Sequence, residues 1–413
     1  MKNLFELPGT YKKWTMGLLV VGLIVLIAGV VFLHPFASVN HDASVENTGT
    51  RFWAVLLQNS TFWLLLVNTS MFFISITTLA MGGWQVAFKR VTEAISSVVP
   101  IMGVLTLIIF IAIIFGGRTD IYPWIDRSYV KADKILNGKS GFLSPTFFMI
   151  FSVVTISLWT FLGYKIRKIS AKSDDAPMDV EKGGKFIWDN LVLTAFFLVV
   201  FILTVASTIP WLWLMSIDPH WYSTMYSWYT FASTFVSGVA LITLFVVYLK
   251  NRGQLPYVTE EHLHDLGKFM FAFSIFWTYL WFSQYMLIWY SNQPEETVYF
   301  KPRSQGAYQG LFIFNLIVNF VCPFLILMKR GTKRNYTLVT FMCVLIIFGH
   351  WIDFYQMVMP GTVKDNPHLS WFEFGIPFGF IGIIMWGFGR YIVKLPLTPM
   401  NHPFLKESMI HHT

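Results

Sequence analysis

The stretch FGHWIDFYQMVMP, residues 348–360, sets an imidazole and a carboxyl group, His350 and Asp353, three residues apart in an otherwise apolar run. On a helix such residues sit one turn from each other, about 60° apart around the axis. An imidazole beside a carboxyl group can take up, hold and pass on a proton near neutral pH. The same pair can also serve as a structural clamp between helices. At the centre of a bilayer an inserted carboxylate costs about 2.5–3.5 kcal/mol, so it must face protein or water, find partners, or keep its proton. Pro360-Gly361 is expected to end this helix. At about 1.5 Å per residue, His350 then lies roughly 15 Å from that end, near mid-depth.

A second polar series runs along KFMFAFSIFWTYLWFSQYMLIWY, residues 268–290. Ser274, Thr278 and Tyr285 share one helical face, and His264 at its mouth projects the same way. With His350 and Asp353 these groups would form a chain of proton-carrying side chains, provided the two helix faces meet. A stripe of hydroxyls is equally the pattern of ordinary hydrogen bonding between membrane helices. Two further segments read as outer loops. In SIDPHWYSTMYSWYT (216–230), Asp218 can cap a helix with Pro219 in its first turn, the aromatics suit an interfacial belt, and His220 reads as an interface residue. In NQPEETVYFKPR (292–303), Glu295 and Glu296 read as solvated charges facing a partner protein rather than as an acid/base pair.

The elements that must position these groups are membrane helices. The chain is 55% hydrophobic and only 13% charged, about half the charge of a soluble protein. Apolar runs of roughly 20 residues fall near 15–33, 52–80, 95–116, 145–165, 187–209, 222–249, 266–290, 307–328, 336–358 and 373–393. The fold class is therefore all-α: one polytopic membrane domain over residues 1–413 with about ten transmembrane helices. The first run follows Lys12 and Lys13 and has no small-residue cleavage site after it, so it reads as a retained helix. One set of loops, with the helix ends beside them, holds 21 of the 30 Lys and Arg. The positive-inside rule makes that face cytoplasmic and places both termini there. The basic surplus thus marks a membrane face, not a nucleic-acid partner. Glu93 and Asp189 sit near helix ends, where headgroups or water can solvate them.

Bound redox centres are not expected on this chain. Of the ten histidines (34, 41, 220, 262, 264, 350, 368, 402, 411, 412), only His350 lies deep, whereas a bis-histidine haem needs two facing imidazoles. Cys322 and Cys343 both fall in apolar runs and cannot hold an iron–sulfur cluster.

The motifs FWTYLWFSQYMLIWYSNQPEET (276–297), DPHWYSTMYSWY (218–229) and HWIDFYQMVMP (350–360) resemble the second NrfD-type membrane subunit of bacterial alternative complex III. The resemblance covers nearly the whole chain. It implies two four-helix bundles, helices 2–5 (about 52–209) and 6–9 (about 222–358), flanked by helices 1 and 10. It implies a complex of the bacterial cytoplasmic membrane that oxidises menaquinol or ubiquinol and passes electrons to cytochrome c or directly to a terminal oxidase. Haem c and iron–sulfur clusters would sit on partner subunits, beside a paralogous NrfD-like subunit and lipids. In that family a His and an Asp in the first bundle of the paralogue accompany quinol oxidation. Here EAISSVVPIMGVLTLIIF (93–110) and PTFFMIFSVVTISLWTF (145–161) offer neither. The expected role is therefore a proton path and a scaffold for redox subunits, with quinol or quinone as the complex's substrate. A secondary transporter with a polar midplane site, or a purely structural anchor, are the other readings.

Overall fold

The computed structural model describes residues 5–37, 48–174, 177–367 and 369–412; His41 and His368 lie outside the described residues. Ten long helical stretches follow in chain order: α1 (Gly9–Leu33), α2 (Thr48–Leu79), α3 (Gly83–Phe115), α4 (Pro145–Asp174), α5 (Val180–Ile217), α6 (Met225–Lys250), α7 (Glu260–Ser291), α8 (Gly306–Leu327), α9 (Tyr336–Thr362) and α10 (Trp371–Ile392). Among the described residues there is no strand. A chain surrounded by hydrocarbon must satisfy its backbone groups within each segment, which helices do.

Nine of the ten are long and apolar enough to cross a membrane; α7 is the less apolar one. Its 32 residues nevertheless reach across the same slab. Glu261 near its start pairs with Arg334, just before α9 begins. Gln284 near its end donates to Ser223, just before α6 begins, at 2.7 Å. The Arg334 side is the basic end of the molecule, and the Ser223 side is the far end.

α2 packs on α3 and α5, and α4 joins α3 and α5. α6, α7, α8 and α9 pack on one another, while α2 also touches α6 and α9. This buries nearly every residue of α2 and α6. α1 lies along α10 on the flank. These two cross at glycine: a Cβ on Gly22 would stand 2.2 Å from the Gly379 Cα. Gly379→Leu is therefore expected to part the two helices, at about 1–3 kcal/mol for the overpacking. Thermal melting of the detergent-purified chain measures it, and an unchanged midpoint would show that the crossing is not what holds α1.

Prolines shape three helices. Pro210 and Pro323 lack the N–H that would reach the carbonyls of Ala206 and Asn319. Each is preceded by a single π-type turn, Thr204–Thr208 in α5 and Ile317–Val321 in α8, which reroutes the ladder locally. The third case corrects an expectation. α9 does not stop at Pro360-Gly361 but continues to Thr362. Pro360 frees the carbonyl of Gln356, and Arg303 Nε donates to it at 2.9 Å. The same guanidinium reaches Met357 O at 3.1 Å, Tyr299 O at 2.6 Å and Asp218 Oδ2 at 3.3 Å. It also lies over the Tyr299 ring, 3.4 Å from the centroid. Arg303 comes from the segment expected to be an outer loop, which is instead a helix, Pro294–Ser304.

Glu93 is also corrected. It is fully buried rather than solvated at a helix end. Arg90 binds it at 2.6 Å and Asp174 at 2.7 Å, which compensates charges that could not otherwise stay inside.

Candidate functional site

His350 and Asp353 occupy the middle of α9 with no exposed surface. Four helices converge on them. α6 runs antiparallel to α9, so Tyr229 and Ser233, one turn apart, face Asp353 and His350 in turn. The Tyr229 hydroxyl donates to Asp353 Oδ1. Ser233 Oγ lies 3.0 Å from His350 Nδ1. From α7, Trp277 Nε1 donates to Asp353 Oδ2 at 3.0 Å, and its ring meets His350 edge-on at 5.2 Å between centroids. From α8, Asn315 Nδ2 donates to Asp353 Oδ1 at 2.8 Å. Asn319, one turn on, donates to Asn315 Oδ1. His350 Nδ1 itself is 3.8 Å from Asp353 Oδ2. The carboxyl group thus meets a phenol, an indole and an amide, all donating, and no Lys or Arg. Hydrogen bonds of this kind are the condition for keeping such a group in a helix bundle.

The π-type turn of α8 contains Asn319, and Gly349 makes room for it. A Cβ at position 349 would stand 2.2 Å from Asn319 Oδ1. Gly349→Ala is expected to push Asn319 away and loosen Asn315 from Asp353, costing about 1–3 kcal/mol. Denaturant unfolding measures the loss; full stability would mean that the α8–α9 contact is slack. His350 Nε2 and Asn319 Oδ1 are buried without a hydrogen-bond partner, so the cluster retains acceptor and donor capacity.

A cavity of about 20 Å³ adjoins Tyr229 on the far-end side, lined also by Gln284, Tyr299, Arg303 and Gln356. That is room for one water, and Gln356 Nε2 is buried there unpartnered. Beyond it Arg303 pairs with Asp218, whose side chain is 32% exposed. Asp353 is thus joined to the far surface by Tyr229, a water-sized space, Arg303 and Asp218.

A larger cavity of about 420 Å³ lies between α2, α6, α9 and α10. Trp63, Phe245, Phe348, Trp351, Phe378 and Met385 are among its walls. Trp351 turns its N–H away to Asn59 Oδ1, at 3.0 Å. The space suits a hydrocarbon chain: its walls are almost wholly apolar, and Trp63 Nε1 is buried without a hydrogen-bond partner. Among the described residues no three His, Cys, Asp or Glu side chains converge as metal ligands.

The other expected site residues do not join the cluster. Ser274 is buried with its hydroxyl unpartnered. Thr278 donates to the carbonyl of Ser274 at 2.8 Å. Tyr285 packs on Trp281, Phe300 and Phe312. His264 sits near the basic end, buried with its Nδ1 unpartnered. Among the described residues no hydrogen bond ties any of them to Asp353 or His350. α7 reaches the site through Trp277 instead. Tyr229, Ser233, Trp277, Asn315 and Asn319 were not singled out as site residues from sequence. The one available signal was the pair of asparagines a turn apart in the apolar run FNLIVNF, residues 314–320.

On the far surface, Asp218 does not cap α6, which begins at Met225, but pairs with Arg303. His220 binds Asp133 at 2.7 Å. That hydrogen bond, with the backbone N–H groups of Leu136 and Ile135, holds the Asp133 carboxyl below its usual range. Glu295 and Glu296 are exposed in the first turn of Pro294–Ser304. The sequence matches no protein-family model, and no curated protein matches it.

Proposed function

We propose that this chain is an integral membrane subunit of a quinol-oxidising electron-transfer complex of the alternative complex III type. In it the chain carries part of a transmembrane proton path and scaffolds the redox subunits, and it does not oxidise quinol by itself. The observation that carries this reading is the carboxyl group of Asp353, held at the centre of four helices by Tyr229, Trp277 and Asn315, with His350 one turn away. A purely structural clamp does not need an ionisable group at that depth, where polar groups are expensive. A proton site does. The Tyr229 hydroxyl can pass a proton from Asp353 toward the water-sized cavity, Arg303 and Asp218. His350 and Ser233 extend the cluster toward the basic end.

Partner subunits, including a paralogous NrfD-like subunit, would hold haem c and iron–sulfur clusters and deliver electrons to cytochrome c or an oxidase. The membrane would be the bacterial cytoplasmic membrane, with both termini inside. The almost wholly apolar lining of the larger cavity, with no ionisable side chain to take a quinol proton, supports leaving quinol oxidation to another subunit.

A second reading, a secondary transporter, draws on α5 and α8, each interrupted by a π-type turn before a proline, because transporters place substrates at broken helices. Affinity purification of the tagged chain from native membranes separates the two. Co-elution with haem- and iron–sulfur-bearing subunits is expected. Recovery of the chain alone would overturn the complex and favour the transporter.

A further inference from the structure

We propose that the basic end of the bundle holds a binding site for the phosphate of a membrane lipid, centred on Lys89. Lys89 opens the short helix Lys89–Ser96 within α3 and is 2% exposed. Among the described residues three buried arginines have a carboxylate: Arg90 has Glu93 and Asp174, Arg118 has Asp120, and Arg303 has Asp218, while buried Lys333 and Arg167 donate to oxygen acceptors, Lys333 to the carbonyls of Leu327 and Met328 and Arg167 to Ser96 Oγ. Among the described residues Lys89 has none within ion-pair distance. Its ammonium meets His402 Nε2 at 3.3 Å and the ring of Phe186 at 6.0 Å. Burial, and then the nearness of Lys89 and Arg90, holds the His402 imidazole well below its usual range. That ring is neutral, the backbone N–H of Phe404 donates to its Nδ1 at 3.2 Å, and it does not offset the charge of Lys89. A buried ammonium left in this state is expensive, and an anion completes it.

The space for that anion adjoins Lys89. It is an opening of about 20 Å³ lined by Thr78, Gln85, Lys89, Asn190, His402 and Phe404, the size of one oxygen with its hydrogens. Gln85 is buried there with Oε1 unpartnered, and rotating the amide turns its N–H₂ into the space. The mouth lies at Met81, exposed, and Gly82, half-buried, just past the end of α2. One phosphate oxygen fits against Lys89 while the rest of the phosphate stays at the mouth. The neighbouring surface favours a lipid over free phosphate. From the same edge, α5 presents Trp188, Val192, Phe196 and Val199 outward, an apolar strip along which acyl chains can lie. Basic pockets between helices at this level recognise anionic headgroups.

Native mass spectrometry of the full-length chain in detergent, titrated with phosphatidylglycerol, tests the site. The wild type is expected to retain one tightly held lipid. Lys89→Gln should weaken that binding about tenfold or more, the loss of one charge-assisted hydrogen bond. Lys182→Gln, an exposed control, should leave it unchanged. Ile187 also lines the opening; Ile187→Trp narrows it without touching a charge and should weaken binding similarly, which keeps the test open if the Lys89 variant misfolds. Equal affinity in wild type and both site variants would overturn the proposal. Displacement of the lipid by millimolar inorganic phosphate would overturn the lipid assignment in favour of a soluble anion.

Discussion

In Asp353→Asn, the complex is expected to assemble at wild-type levels and to lose proton-coupled turnover by about a hundredfold or more, the range of a missing proton-transfer group. The change is nearly isosteric. The amide oxygen can still accept from Tyr229 and Asn315, as Asp353 Oδ1 does. The amide nitrogen then faces the N–H of Trp277, a donor against a donor, at a cost of about 1–3 kcal/mol. That penalty is small enough for the bundle to survive. What disappears is the group that exchanges a proton. Quinol-driven turnover and recovery of partner subunits are measured on the same preparation. Loss of assembly would favour the structural clamp, and normal turnover in an intact complex would end the relay. Tyr229→Phe, which keeps the ring and deletes the hydroxyl, should slow turnover in the same direction.

The largest effect on stability is expected from Arg303→Met. The side chain keeps its bulk and loses every hydrogen bond. The carbonyls of Gln356, Met357 and Tyr299 are left without this donor, and Asp218 loses its cation. Removing one partner of a buried charged network costs about 3–5 kcal/mol, and the stacking on Tyr299 adds to it. Arg303→Lys should rescue little, because one ammonium cannot replace a planar fork that serves three directions. Unfolding of the purified chain in mixed micelles measures the change. A loss under about 1 kcal/mol would mean that the kink at Pro360 is held by something else.

The apolar runs and the His350–Asp353 spacing could be read from sequence because both are local. Run length and composition mark a membrane helix, and residues three apart on one helix always lie about one turn from each other. The lining of the site was not local. Tyr229 lies 124 residues from Asp353, Trp277 76 and Asn315 38. Nothing in periodicity says that those helix faces meet. Trp277 looks like any other aromatic of α7, although it lies one turn from Ser274 at the edge of the hydroxyl stripe. Arg303 was hidden for a different reason. A charge in a segment rich in Gln, Pro and Glu reads as solvated, and only the packed bundle shows it turned inward to backbone carbonyls, one of them freed by Pro360. The π-type turns left only their prolines as a trace. The register shift that brings Asn319 against Gly349 depends on the neighbouring helix.

The central claim, that Asp353 exchanges a proton during turnover, has a direct spectroscopic test. Reduced-minus-oxidised infrared difference spectra of the complex purified through this chain report carboxyl groups that change protonation or hydrogen bonding. The account predicts a carboxyl band in the wild type that shifts in deuterium oxide and is absent from Asp353→Asn. Identical carboxyl regions in the two spectra would contradict it.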